Sequence, residues 1–246
     1  MKFFTIILAF LVSTMIFASN YNTVLISLEK KIEVVKQNGV MPIIVFDIDN
    51  TIISSSPRIE KILKDANKKY HSKSLAKYLK NKDNDFKYHQ LKELFVTLKV
   101  NPKKSERIFK YFNEKFFLNE YTKYDVALKD SLEMVNKFYK KGAFIIYLTA
   151  RGRTALVGTI DSLDRLGFPI AKTRTSLIMR DSKDQKSPLY KKKALAELST
   201  MGTILAIFDD KIENLDAFTS FFKDQFSLYL VNSSSKNKKM TNITLK

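Results

Sequence analysis

Cysteine is absent from the 246 residues of this chain, and only two histidines are present. The absence of cysteine excludes disulfide bonds, thiolate metal sites, a cysteine nucleophile and a lipid-modified cysteine at an export cleavage site. Two histidines are too few for a zinc centre with several imidazole ligands, or for a proton relay between imidazoles. Any catalytic chemistry must therefore depend on other side chains.

Negative charge is scarce relative to positive charge. Lys and Arg number 43 against 25 Asp and Glu, which gives a formal net charge of +18 and an isoelectric point near 9.8. Such a surface attracts phosphate esters, nucleic acid or acidic lipid, and charge alone does not distinguish among them. The hydrophobic content of 45% is enough for a core of ordinary size and argues against a disordered or fibrous chain.

The first residues have the pattern of a targeting segment. Lys2 precedes the apolar run 3–17, and the small residue Ser19 follows it. The run is shorter than the roughly 20 residues that span a bilayer. We therefore predict a signal peptide over residues 1–18 and export to the periplasm or the medium, with an uncleaved membrane anchor as the alternative. No later segment of the sequence is long and apolar enough to span a membrane.

Short apolar runs alternate with helical patterns along the chain. Runs that are typical of strands covered on both faces lie at 43–46, 143–148, 176–179, 203–208 and 226–231. Helical spacing of apolar residues is found at 22–37, 126–140, 153–166, 189–198 and 212–222. This alternation predicts an α/β fold with a Rossmann-like parallel sheet and helices on both faces, because parallel strands need crossover connections.

The segment between the first two predicted strands is too long for a simple crossover. Residues 54–123 are rich in Lys, Asn, Tyr and Phe at helical spacing, whereas a crossover with its helix takes about 10–12 residues or slightly more. We predict that this segment is an inserted helical cap with its own small core. The main domain would then comprise residues 19–53 and 124–232, followed by a frayed basic tail over 233–246.

Polar residues follow three of the predicted strands. Asp47 and Asp49 end the first strand, Thr149 ends the second, and Asp209 and Asp210 end the fourth. Ligands of open parallel sheets bind beyond the carboxyl ends of the strands, so we expect these side chains to meet. Four clustered carboxylates repel one another unless protons or cations compensate, which favours a hard divalent cation held by oxygen ligands.

Simpler explanations exist for several polar residues. Aspartate is common in turns and at helix N-caps after strands, and Thr149 has the position of a cap for the helix at 153–166. Asp125 is expected to cap the helix that follows it. Arg151 can bind a substrate phosphate, although a structural ion pair with nearby acids is the favoured interpretation.

The motifs together resemble the phosphatase branch of the haloacid dehalogenase (HAD) superfamily. The segment Asp47-Ile48-Asp49-Asn50-Thr51 resembles its first motif, Thr149 after an apolar strand its second, and Asp209-Asp210 its fourth. The resemblance is nearest to the exported acid phosphatases of the superfamily, which also combine a signal peptide with this core. It implies a HAD-like core and phosphatase activity.

The resemblance also implies a role for each motif residue. Asp47 would be the nucleophile that forms an aspartyl phosphate, and Asp49 would protonate the leaving group and then activate water. A Mg²⁺ ion would be held by Asp47, the backbone carbonyl of Asp49, Asp209 and Asp210. The hydroxyl of Thr149 would bind a phosphate oxygen.

The third motif of the superfamily is a phosphate-binding lysine. Lys191 fits this motif best because apolar residues follow it at four and seven positions. The alternatives are the other lysines between 183 and 193, namely Lys183, Lys186, Lys192 and Lys193. Asn214, one turn after the fourth motif, is expected either to orient an aspartate or a metal-bound water, or simply to lie on the helix surface.

The sequence therefore predicts a magnesium-dependent, acid phosphatase-like phosphomonoester hydrolase. Its substrate would be a small phosphate ester such as a nucleotide or a sugar phosphate. Two alternatives remain open at this point. One is a phosphotransferase of the same superfamily, and the other is a non-catalytic basic module that binds nucleic acid or an anionic surface through its lysines.

Overall fold

The computed structural model describes residues 22–81, 86–128, 130–181, 186–222, 225–233 and 240–245. The predicted signal peptide, residues 1–18, lies outside the described residues. None of the helices that the described residues form is long and apolar enough to cross a membrane.

Two sheets are present among the described residues. In chain order the strands are β1 (Pro42–Phe46), β2 (Ile53–Ser54), β3 (Val126–Ala127), β4 (Phe144–Gly152), β5 (Thr175–Arg180), β6 (Thr203–Asp209), β7 (Ser227–Ser233) and β8 (Met240–Leu245). The large sheet has six strands in the order β5-β4-β1-β6-β7-β8. Its first five strands run parallel, and β8 pairs antiparallel with β7. The predicted α/β class with a parallel sheet is confirmed.

Helices cover both faces of the large sheet. The helices are α1 (22–37), α2 (Ser56–Tyr70), α3 (Lys73–Tyr78), α4 (Leu91–Thr97), α5 (Pro102–Lys115), α6 (Asn119–Thr122), α7 (Ser131–Lys141), α8 (Leu156–Arg165), α9 (Ser187–Leu198) and α10 (Ile212–Phe222). Ile44 and Phe46 of β1 pack in a buried cluster with α1, α7 and α8. Ile43 and Val45 face the opposite side, where α9 and α10 pack. This alternation explains why the β1 sequence is apolar at every position.

The helices α2 to α6 lie between β1 and β4 in the chain, and we refer to them as the cap. Their buried side chains make a separate hydrophobic cluster that includes Ile59, Leu91, Phe95, Ile108 and Phe112. The chain leaves the main domain through β2 and returns through β3, and these two short strands pair with each other antiparallel. One narrow ribbon therefore joins the cap to the main domain.

Two sequence predictions differ from the structure. The helix predicted over 126–140 begins at Ser131, because Val126–Ala127 pairs with β2 instead. The frayed tail predicted over 233–246 is also wrong in part: Ser233 belongs to β7, and Met240–Leu245 forms β8 at the sheet edge. The β8 segment contains the β-branched residues Thr241, Ile243 and Thr244, which favour pairing with an exposed strand.

Candidate active site

A tight loop after β1 aims Asp47 and Asp49 at the same end of the sheet. The backbone N–H of Ile53 donates to the carbonyl of Ile48, and that of Asn50 donates to the carbonyl of Ile53. Asn50 lies at φ 64°, in the left-handed region that asparagine tolerates better than most residues. Ile48 is fully buried between the two aspartates, so their carboxylates project from the loop beyond the strand.

Three carboxylates come together at the ends of β1 and β6, which are neighbours in the sheet. One carboxylate oxygen from each of Asp47, Asp209 and Asp210 lies within 4.8 Å of the other two. Burial, together with Asp209, raises the pKa of Asp47 to about 6 against the attraction of Lys191. Burial and the charges of Asp47 and Asp209 raise the pKa of Asp210 to about 8. The cluster therefore has a surplus of negative charge that a cation can neutralise.

Lys191 lies in the first turns of α9 and reaches this cluster. Its Nζ atom donates to Oδ1 of Asp47 at 2.5 Å and to Oδ2 of Asp209 at 2.7 Å. Burial opposes the charge of the ammonium, but the two carboxylates outweigh it and raise the lysine pKa above its usual value. Lys186 stands exposed immediately before α9, and Lys183 lies outside the described residues.

Asn214 on α10 holds Asp209 from the other side. Its Nδ2 atom donates to both carboxylate oxygens of Asp209, at 2.8 and 2.9 Å. The backbone N–H of Lys211 donates to Oδ1 of the same carboxylate at 2.9 Å, and Ser187 donates to Oδ1 of Asn214 at 3.3 Å. Asn214 is almost completely buried, so it orients an aspartate and does not lie on the helix surface.

Asp49 is directed away from the other three carboxylates, toward two arginines. Arg151 donates through Nε to Oδ2 at 2.8 Å and through a terminal nitrogen to Oδ1 at 2.9 Å. Arg58 of the cap helix α2 also donates to Oδ1. Burial alone raises the pKa of Asp49, but the two guanidinium charges outweigh burial and hold that pKa well below its usual range. Asp49 is consequently ionised in this arrangement.

Asp125 completes this group of charges. Its Oδ2 atom accepts a 2.9 Å bond from Arg151, and its Oδ1 atom lies 3.0 Å from Nε of Arg58. The expectation that Asp125 caps a helix is wrong, because the following helix begins at Ser131. The structural pairing expected of Arg151 is confirmed. Sequence reasoning did not single out Arg58. The available signal was an arginine in a segment where nearly all basic residues are lysines.

Thr149 lies near the end of β4 with 1% of its surface exposed. Its hydroxyl accepts a 3.2 Å bond from the backbone N–H of Arg151, and it does not cap a helix. A cleft of about 290 Å³ opens at these strand ends. The cleft is lined by Thr149, by the aspartates 47, 49 and 210, by Lys191, and from the cap by Tyr88, Phe116 and Phe117.

Clustered carboxylates at the strand ends of a Rossmann-like sheet with inserted helices are typical of phosphatases of the HAD type. Residues 103–237 match the family model described as "HAD superfamily, subfamily IIIB (Acid phosphatase)", and this match covers more than half of the chain. The chain belongs to that family and is a phosphatase.

Solved structures show the same fold. The class C acid phosphatase of Bacillus anthracis with tungstate bound is 20% identical, with a TM-score of 0.51, over 85% of this chain and 74% of that protein. A Clostridium difficile protein described as "Putative Phosphatase" is 12% identical, with a TM-score of 0.52, over 74% of this chain and 82% of that protein. No curated protein is a significant match to the sequence.

Proposed function

We propose that this phosphatase is a magnesium-dependent phosphomonoester hydrolase that forms an aspartyl phosphate on Asp47. The observation that carries the proposal is the position of Asp47. It lies in the cleft, next to Asp209 and Asp210, with the ammonium of Lys191 bonded to its Oδ1 atom. A carboxylate in these surroundings can attack phosphorus while neighbouring cations offset the negative charge of the phosphoryl group.

The chemistry of the donor set fits a hard divalent cation. All three clustered groups are carboxylates, and burial together with repulsion between these carboxylates raises the pKa of Asp47 and of Asp210. We propose that Mg²⁺ is held by Asp47, Asp209, Asp210 and the backbone carbonyl of Asp49. When bound, the ion supplies positive charge that lowers the repulsion between phosphate and carboxylates.

The proposed first half-reaction transfers the phosphoryl group to the protein. An oxygen of Asp47 attacks phosphorus, and a bond between phosphorus and this oxygen forms as the bond to the ester oxygen breaks. When the negatively charged phosphate enters the cleft, it opposes the charge of Asp49, which takes up a proton from solvent. Asp49 then gives this proton to the departing ester oxygen, which leaves as an alcohol. The Thr149 hydroxyl and the Lys191 ammonium hold the phosphate oxygens during transfer.

The proposed second half-reaction releases phosphate. Asp49, now ionised, takes a proton from a water molecule whose oxygen attacks the phosphorus. The bond between phosphorus and Asp47 breaks, free phosphate forms, and Asp49 is again protonated, as it was before the first transfer. The two arginines keep Asp49 in its ionised form, which is the form that accepts a proton in this step.

The size of the cleft favours a small phosphate ester, and we propose nucleotides and sugar phosphates as the substrates to compare. At about 290 Å³ the space between the cap and the strand ends suits a single small molecule. Tungstate, which the similar Bacillus anthracis protein binds, is a tetrahedral oxyanion with the shape of phosphate. We further propose that the chain is exported, on the basis of the apolar segment 3–17.

Trapping the covalent intermediate tests the proposal. A rapid quench during turnover of 4-nitrophenyl phosphate with Mg²⁺, followed by borohydride reduction, should convert Asp47 into homoserine, which peptide mass spectrometry identifies. Asp47→Asn should show neither homoserine nor turnover, and chelation of Mg²⁺ should stop the wild type. Asp161→Asn, on the exposed face of α8, is the control and should behave as wild type. Turnover by Asp47→Asn at the wild-type rate would contradict the proposal.

A further inference from the structure

Four side chains of opposite charge, three of them buried, form a closed group at the junction of cap and main domain. Two aspartates and two arginines make up this junction cluster, which consists of Asp49, Arg58, Asp125 and Arg151. Arg58, Asp125 and Arg151 have side chains with 0% exposure, whereas Asp49 keeps 23% of its side-chain surface open. The formal charges sum to zero, and the carboxylate that faces the cleft is that of Asp49.

We propose that Arg58 and Asp125 are positioning residues that aim the Asp49 carboxylate at the leaving group, so that the acid is set only when the cap is seated. This inference rests on the proposed role of Asp49. Each member of the junction cluster comes from a different part of the chain, so the position of the carboxylate depends on how those parts are assembled.

The contacts of Arg58 support this dependence on the cap. Arg58 lies in the first turn of α2, and besides Asp49 it donates a 3.2 Å bond to the backbone carbonyl of Phe116. Its guanidinium carbon also lies 4.1 Å from the centre of the Phe116 ring. Phe116 lines the cleft. A single buried guanidinium therefore joins the cap wall of the cleft to the proposed catalytic acid.

The contacts of Asp125 explain how two like charges are held beside one carboxylate. Arg58 and Arg151 both bond to Oδ1 of Asp49, and their guanidinium groups would repel each other in a buried site. Asp125 contacts both of them, immediately before β3 of the ribbon that joins cap and main domain. Removal of its charge leaves the buried cluster with one surplus positive charge, so the arginines must move apart and Asp49 turns with them.

Substrates with different leaving groups test the inference. Nitrophenolate departs without a proton, whereas the alkoxide of glycerol needs one, so only the second substrate depends on a well-aimed acid. For Arg58→Lys and Asp125→Asn, kcat/KM for glycerol 2-phosphate should fall about 10–100-fold, because a misdirected acid loses part of the roughly 100- to 10,000-fold that acid catalysis contributes. For 4-nitrophenyl phosphate the fall should stay within about threefold. Arg107→Lys, at the exposed arginine of α5, should leave both values unchanged.

A comparison in the Asp49→Asn background separates positioning from stability. The ratio to compare is kcat/KM for glycerol 2-phosphate divided by kcat/KM for 4-nitrophenyl phosphate. If Arg58 acts through Asp49, the double variant with Arg58→Lys and Asp49→Asn should have the same ratio as Asp49→Asn alone, since the two residues are coupled. Equal losses on both substrates in the single variants would overturn this inference and leave the proposed function intact. A normal substrate ratio in Asp49→Asn itself would overturn both, because Asp49 would then not be the acid.

Discussion

The Nζ atom of Lys191 lies 2.7 Å from Oδ2 of Asp209, and the same nitrogen is bonded to Asp47. A buried ammonium thus joins a carboxylate after β1 to one at the end of β6. In this position the lysine can hold a phosphate oxygen, but it also neutralises part of the charge that attracts a metal ion. Substitution of the lysine should therefore weaken the interaction with phosphate and strengthen metal binding.

We predict that Lys191→Met lowers kcat/KM for 4-nitrophenyl phosphate at least about 100-fold, because a charged donor to the transferring group is lost. The same change should tighten Mg²⁺ binding, since the carboxylates lose a competing cation. Isothermal titration calorimetry measures the second effect independently of activity. Lys193→Met, at an exposed position of the same helix, is the matched control. Weaker Mg²⁺ binding by Lys191→Met would show that the lysine assists the metal site.

Asn214→Ala should weaken Mg²⁺ binding about 10–100-fold, the usual effect of removing a group that orients a metal ligand. The reason is that Asn214 donates to both oxygens of Asp209. Ser187→Ala, which removes only a 3.3 Å bond to Asn214, should have a smaller effect. The Mg²⁺ dependence of turnover gives both values. An unchanged dependence in Asn214→Ala would contradict the proposal that Asp209 is a metal ligand.

The raised pKa values predict how the stability of the metal-free protein depends on pH. The pKa of Asp210 is about 8 in the fold, so the folded protein keeps a proton that the unfolded chain loses near pH 4. The contribution of this proton to stability is full below the unfolded pKa and is lost as pH rises through about 8. We therefore expect the metal-free protein to melt at a lower temperature at pH 8 than at pH 5.5. Each kcal/mol lost from the free energy of unfolding should lower the melting temperature by about 2–4 °C.

The comparison with Asp210→Asn isolates this effect from the other titrating groups. Differential scanning calorimetry should show a smaller decrease between pH 5.5 and pH 8 in this variant than in the wild type. Mg²⁺ should stabilise the wild type more at pH 8 than at pH 5.5, because protons compete with the metal for the same oxygens. A pH dependence equal in wild type and variant would refute the assignment to Asp210.

The contact between cap and main domain at α8 predicts a difference between two glycines. A β-carbon at Gly158 would lie 2.6 Å from the Cα atom of Asn119 in α6, whereas a β-carbon at Gly152 would lie 3.9 Å from its nearest neighbour, the hydroxyl oxygen of Thr154. Gly158→Ala should therefore lower the free energy of unfolding by about 1–3 kcal/mol. Gly152→Ala should change it by less than about 0.5 kcal/mol. Chemical denaturation gives both values, and similar stabilities would show that α6 shifts at little cost.

Much of the fold and part of the site could be predicted because they depend on local sequence order. Apolar runs identify the strands, and the strand ends then bring Asp47 and Asp209 together, since β1 and β6 are adjacent. The partners of Asp49 could not be found in this way. Arg58 lies near the beginning of the cap segment and Asp125 lies just after it. The sequence of a long insertion does not indicate which of its residues contact the ends of the sheet strands.

The errors in the sequence predictions have the same physical cause. The helical spacing of apolar residues in the sequence begins at Val126. In the structure, however, Val126–Ala127 pairs with β2 and forms strand β3. The segment 240–245 is short and preceded by lysines, so local composition favours a tail, whereas a partner strand distant in space stabilises it as β8. In both places a tertiary hydrogen-bonding partner overrides the local preference.

The β2–β3 ribbon has a consequence for the evolution of the enzyme. Because paired antiparallel residues lie about 5 Å apart, the two ends of the insertion keep a fixed separation whatever its length. The intervening helices can be extended, shortened or exchanged for another module without moving the loop that carries Asp47. We expect new substrate ranges to arise by recombination at the β2–β3 ribbon, provided that each replacement brings its own counterpart of Arg58.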